Sequence, residues 1–89
     1  MNERKGYKIL IVDDEIEYQK VLTLILSGVG YSIASCSNGI EALDYINNNI
    51  VDLVLTDLKM PIMDGVELIK KIKEKYDTIE IIVMTEFVK

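Results

Sequence analysis

Apolar residues along this 89-residue chain switch repeatedly between two periods. Ile9–Leu10–Ile11–Val12 and Val51–Asp52–Leu53–Val54–Leu55–Thr56 are near-continuous β-branched and leucine runs, the mark of strands buried in a parallel sheet. Elsewhere the apolar positions recur every three or four residues, as on an amphipathic helix. The pattern predicts a strand over 7–12, then a helix over 15–28 with Tyr18, Val21, Leu22, Ile25 and Val29 inward and Gly28 and Gly30 as its stop. A second strand over 31–36 alternates more strongly, which places it at a sheet edge. A helix over 39–48 turns Leu43 and Ile46 inward and ends in Asn47–Asn48–Asn49. A strand over 51–56 follows, then a helix over 65–75 with Leu68, Ile69, Ile72 and Tyr76 inward, and a strand over 79–84. Lys70, Lys71, Lys73 and Lys75 fall mostly on the outer face of that last helix.

The three helix starts share a local device, a short polar side chain with glutamate three residues later. The pairs are Asp14 with Glu17, Asn38 with Glu41 and Asp64 with Glu67. Repeated strand–helix units with short loops imply parallel strands, right-handed crossovers and helices on both faces. With the second strand at an edge, the order is 2-1-3-4, that of a flavodoxin-like sheet. The carboxyl ends of strands one and three then border the crevice where such sheets place their ligand chemistry.

Composition narrows the classes of function. The chain is long enough for one domain, and 49% hydrophobic residues suffice for a core. A net charge of −5 argues against a nucleic-acid or anionic-membrane surface. Charged residues interrupt every apolar run, so no membrane span is expected, and the polar start Met1–Lys5 points to the cytoplasm. Cys36, the lone cysteine, reads as a small buried residue.

Both central runs end in acid: Val12 leads into Asp13 and Asp14, and Thr56 into Asp57. Three carboxylates at one sheet edge repel one another and call for a cation or a shared proton. Oxygen donors in a chain with no histidine suit Mg²⁺. Beside such an ion a carboxylate can attack phosphorus and form an aspartyl phosphate. Asp57 is the candidate acceptor, Asp14 a direct metal ligand, Asp13 a second one, and Thr85 a hydrogen-bond donor to a phosphoryl oxygen. Taken singly, Asp14 is more often a helix cap, Asp57 a solvated loop residue and Thr85 an ordinary strand residue. Asp64–Gly65 reads as a turn and cap, and Asp52 as solvated. It is the placement of four such groups at the same ends of three parallel strands that favours chemistry.

Those residues, with Asn38–Gly39–Ile40–Glu41, the stretch Asp57–Leu58–Lys59–Met60–Pro61–Ile62–Met63–Asp64–Gly65 and Ile81–Ile82–Val83–Met84–Thr85, resemble the receiver domain of bacterial two-component response regulators. The resemblance runs in order over nearly the whole chain. It implies that Asp57 accepts a phosphoryl group from a histidine kinase or phosphotransfer protein. It further implies that Asp13, Asp14, Asp57 and the backbone carbonyl of Lys59 hold Mg²⁺, and that Thr85 is the switch hydroxyl. An output domain or downstream protein would read the switch. Such a domain is no conventional enzyme, since it catalyses only its own phosphotransfer.

Two departures from the family pattern stand out. Receivers have five strand–helix units, and three plus a strand are present here, so the expectation is a single receiver domain over 1–89, incomplete at its C-terminus. The fourth helix, fifth strand, fifth helix and active-site lysine have no counterpart, and Lys89 is not that lysine. Glu86 follows Thr85 where a small residue is usual. An apolar fourth strand at a sheet edge and the uncovered Val21, Leu24 and Ile25 predict self-association. The alternative is thus a receiver-derived fragment that self-associates and is not phosphorylated. An aspartyl-nucleophile phosphohydrolase fits less well, because Asp13 is followed by Asp14, Glu15 and Ile16 rather than by that class's spacing of nucleophile and second acid. A nucleotide-binding module lacks its glycine-rich loop.

Overall fold

The computed structural model describes residues 6–84. Strands and helices alternate through them as β1 (Lys8–Val12), α1 (Ile16–Val29), β2 (Ser32–Cys36), α2 (Gly39–Asn48), β3 (Leu53–Asp57), α3 (Gly65–Lys75) and β4 (Glu80–Met84). The strands form one parallel sheet in the order β2-β1-β3-β4. Lys8 lies opposite Ser32, Ile9 opposite Leu53, and Leu53 opposite Glu80. The expected flavodoxin-like order is the order found.

The two faces of the sheet differ. Alternation sends Leu10, Val12 and Val54 to one face, where Ala42 and Ile46 of α2 and Leu68 and Ile72 of α3 complete the main core. Each large side chain buried there contributes about 1.5–3 kcal/mol relative to exposure. Ile9 and Ile11 point to the opposite face, over which α1 lies against β1 and β2. Farther along that face, Leu53, Leu55 and Ile82 border an open groove of about 660 Å³ beside Leu26.

Helix α1 corrects the sequence reading. Gln19 is buried and Leu22, Thr23 and Leu26 are half-buried, whereas Tyr18, Val21, Ile25 and Val29 are exposed. Two apolar stripes compete on this helix. The short 13–15 connection from β1 fixes its rotation, so the stripe carrying Gln19 meets the sheet. Gly30, at φ 120°, ends the helix and donates its N–H to the carbonyls of Leu26 and Ser27, while Gly28 lies inside it.

Two of the three expected caps form. Asn38 Oδ1 accepts from the Glu41 N–H and Asp64 Oδ1 from the Glu67 N–H, both at 2.9 Å. Glu41 reaches back to the N–H of Ser37 rather than that of Asn38. At α1 the cap position is Glu15, with no side-chain cap bond, so Asp14 is not a cap. Asp52 is not simply solvated either, because its carboxylate accepts the Lys8 N–H at 2.8 Å and secures the start of β1. Among the described residues, no helix is long and apolar enough to cross a membrane.

Candidate metal and phosphoacceptor site

Val12 and Thr56 are register partners in adjacent parallel strands, so the next residues, Asp13 just past β1 and Asp57 at the end of β3, lie side by side. Asp13 is 4% exposed and Asp57 9%, while Asp14 is open to solvent. One carboxylate oxygen from each of Asp13, Asp14 and Asp57 lies within 4.8 Å of the others. The three acids singled out in the sequence are thus brought together.

Backbone groups hold these acids in place. The Asp13 N–H donates to the Cys36 carbonyl at 3.1 Å, and Asp13 Oδ1 accepts from the Glu15 N–H at 2.8 Å. Asp57 Oδ1 accepts from the Lys59 N–H at 3.3 Å, and the Asp57 carbonyl accepts from Thr56 Oγ1 at 3.0 Å. Burial pushes the Asp13 carboxyl above its ordinary range; the bond from Glu15 pulls it back in part, and the charges of Asp57, Asp14 and Glu15 raise it further. A cation relieves this stress. An oxygen-only donor set fits a hard ion such as Mg²⁺ and does not suit zinc, which favours nitrogen and sulfur.

Residues 57–65 wrap over this edge. The Met63 N–H donates to the Pro61 carbonyl at 2.7 Å, closing a γ-turn around Ile62, whose φ is 73°. A positive φ at a β-branched residue is strained. Buried Met60 and Met63 tie the loop to the core, and the Gly65 N–H bonds the Leu58 carbonyl at 2.8 Å. Lys59 touches the site through its N–H, and its side chain is exposed. Thr85, Glu86 and Lys89 lie outside the described residues.

Sequence reasoning missed Gln19. The two N–H bonds of its Nε2 are shared among three acceptors, the Asp13 carbonyl at 2.6 Å, the Cys36 carbonyl at 3.1 Å and Ser37 Oγ at 3.2 Å. The spacing Gln19–Leu22–Thr23–Leu26 was the available signal, a polar residue in register with an inward stripe.

Comparisons with known proteins agree with this geometry. The family described as "Response regulator receiver domain" matches residues 9–89. Sporulation initiation phosphotransferase F of Bacillus subtilis is 40% identical over 87 residues, which are 98% of this chain and 67% of that protein. Transcriptional regulatory protein ZraR of Klebsiella oxytoca is 40% identical over 79 residues, 89% of this chain but only 18% of the relative's length. Response regulator protein TrrA of Thermotoga maritima, solved in complex with Mg(2+)-BeF, superposes with a TM-score of 0.87 at 36% identity, covering 91% of this chain and 70% of that one. A response regulator receiver protein from Pseudomonas putida gives the same TM-score at 26% identity, covering all of this chain and 74% of its own. With its strand order, its acidic edge and these likenesses, the chain belongs to the response regulator receiver family of two-component phosphorelay signalling.

Proposed function

We propose that the chain accepts a phosphoryl group on Asp57 from the phosphohistidine of a histidine kinase or phosphotransfer protein. The observation that carries this reading is the meeting of Asp13, Asp14 and Asp57 within 4.8 Å at the ends of two adjacent strands. An Asp57 carboxylate oxygen attacks phosphorus, a P–O bond forms, and the P–N bond breaks. The electron pair leaves with the imidazole nitrogen, which takes up a proton. Asp13, Asp14, Asp57 and the backbone carbonyl of Lys59 would hold Mg²⁺. When bound, the ion offsets the negative charge of the acids and of the incoming phosphoryl oxygens. The Lys59 N–H and the packing of Gly65 orient the acceptor. Thr85 is the proposed switch hydroxyl, and an output domain or downstream protein in the cytoplasm reads the result. The same unit, 1–89, is taken as one receiver domain.

The test is labelling by acetyl phosphate with and without Mg²⁺. Labelling that requires Mg²⁺ and disappears in Asp57→Asn is the expected result. Equal labelling of wild type and Asp57→Asn would remove the acceptor assignment, and no labelling at all would return the non-phosphorylated alternative.

A second property rests on its own observation. Among the described residues β4 pairs only with β3, and Ile82 and Val83 on it are exposed. An apolar edge of this kind pairs with another strand. Self-association through β4 is therefore proposed, and light scattering at micromolar concentration tests it. A monodisperse monomer ends that reading.

A further inference from the structure

We infer that Gln19 is a positioning residue for the cation site, locking the Asp13–Asp14 backbone from beneath; the inference rests on the metal-binding reading above. Gln19 is the buried residue of α1, 7% exposed, in the middle of a helix-on-sheet contact that an apolar side chain would fill equally well. Its amide gathers acceptors from two loops: the Asp13 carbonyl in the β1–α1 connection, and the Cys36 carbonyl with Ser37 Oγ in the β2–α2 connection. The Cys36 carbonyl also receives the Asp13 N–H, so both ends of residue 13 are tied to this point. The Asp13 carbonyl belongs to the peptide plane that launches Asp14. With that oxygen drawn inward at 2.6 Å, the exposed Asp14 carboxylate stays turned toward Asp57.

An isosteric apolar residue would preserve the packing and lose the anchor. The acids would remain in the chain, but their convergence would no longer be prepared before the ion arrives. Groups that orient metal ligands from behind typically contribute 10-fold or more to metal affinity.

The test measures Mg²⁺ affinity by calorimetry on wild type, Gln19→Met and Leu22→Ala, and follows acetyl phosphate labelling against Mg²⁺ concentration. Leu22, on the same helix face, serves as a purely packing control. Gln19→Met is expected to weaken Mg²⁺ binding roughly 10-fold. It should raise the half-saturating Mg²⁺ for labelling in parallel, while the rate at saturating Mg²⁺ stays within about twofold of wild type. Leu22→Ala is expected to lower the melting temperature and leave Mg²⁺ affinity unchanged. Wild-type affinity in Gln19→Met, or an equal loss in Leu22→Ala, overturns the inference and leaves the metal site standing. No Mg²⁺ binding by wild type overturns both. Should Gln19→Met not fold, the side-chain amide signals of Gln19 in the wild-type NMR spectrum decide. They are expected to shift with the same Mg²⁺ midpoint as the Asp14 amide, and their failure to move is the contrary result.

Discussion

Gly65 lies against the backbone of Asp57 so closely that a Cβ on residue 65 would stand 2.5 Å from the Asp57 carbonyl oxygen and 2.8 Å from the Cα of Leu58. Both obstacles are backbone, so neither can rotate away. Gly65→Ala should cost about 1–3 kcal/mol, the range for overpacking a close contact. It should also slow labelling of Asp57, whose peptide must shift. Gly39 offers the contrast: a Cβ there meets the Met63 side chain, with Sδ at 2.7 Å, and that side chain can re-rotamer. Urea unfolding of the two variants should rank Gly65→Ala as the more damaging, and the reverse order would contradict this account.

The helix caps separate two roles that the sequence had merged in one residue. Asn38→Ala and Asp64→Ala each remove a side-chain acceptor for a helix N–H and should each cost about 1 kcal/mol. Asp14→Ala removes no cap and should change stability by less than about 0.5 kcal/mol in the absence of Mg²⁺. Its effect should appear as lost Mg²⁺ affinity. Denaturant melts paired with calorimetry check both halves.

Crowded carboxylates make the metal-free protein less stable than it could be. Removing one charge with Asp57→Asn should stabilise the fold without Mg²⁺, because the Asp57 charge is one of those that push the buried Asp13 carboxyl above its ordinary range. Adding Mg²⁺ should stabilise wild type and do little for the variant. Parallel urea titrations with Mg²⁺ and with a chelator measure this; a variant no more stable than wild type under chelation would argue against strain in the cluster.

Burial pushes the Cys36 thiol from 9.0 up to about 12, with the charge of Glu41 adding to the effect and a backbone hydrogen bond from Asn38 opposing it. The folded state therefore holds the proton more tightly than the unfolded state. The thiol's contribution to stability is complete below pH 9 and is lost as pH rises through about 12. The stability difference between wild type and Cys36→Ala should shift against wild type across this window, and the comparison isolates the thiol because the variant keeps every other ionisable group. At pH 8 the native thiol should resist iodoacetamide until denaturant is added.

Much of the site was legible from residues close together in the chain. Asp13, Asp14 and Asp57 were placed because each follows an apolar run, and parallel strands bring the carboxyl ends of such runs to one edge. Asn38 and Asp64 were read as caps because capping spans three residues. Asp14 failed as a cap for the same local reason in reverse: Asp13, one residue earlier, takes the Glu15 N–H and the helix starts later. The strain at Ile62 carried no local signal, since glycine or asparagine is the usual marker of positive φ.

Hydrophobic period and short connections, which act over a few residues, dictate the order of elements, the strand order, the acidic edge and the main core of α2 and α3. Tertiary structure alone decided which stripe of α1 meets the sheet. Tyr18, Val21 and Ile25 are as apolar as a core face, yet the 13–15 connection and the bonds of Gln19 to Asp13 and Cys36 turn them outward. A helix's rotation is set by what it docks against, and the groups that fix it here lie 6 and 17 residues away in the chain.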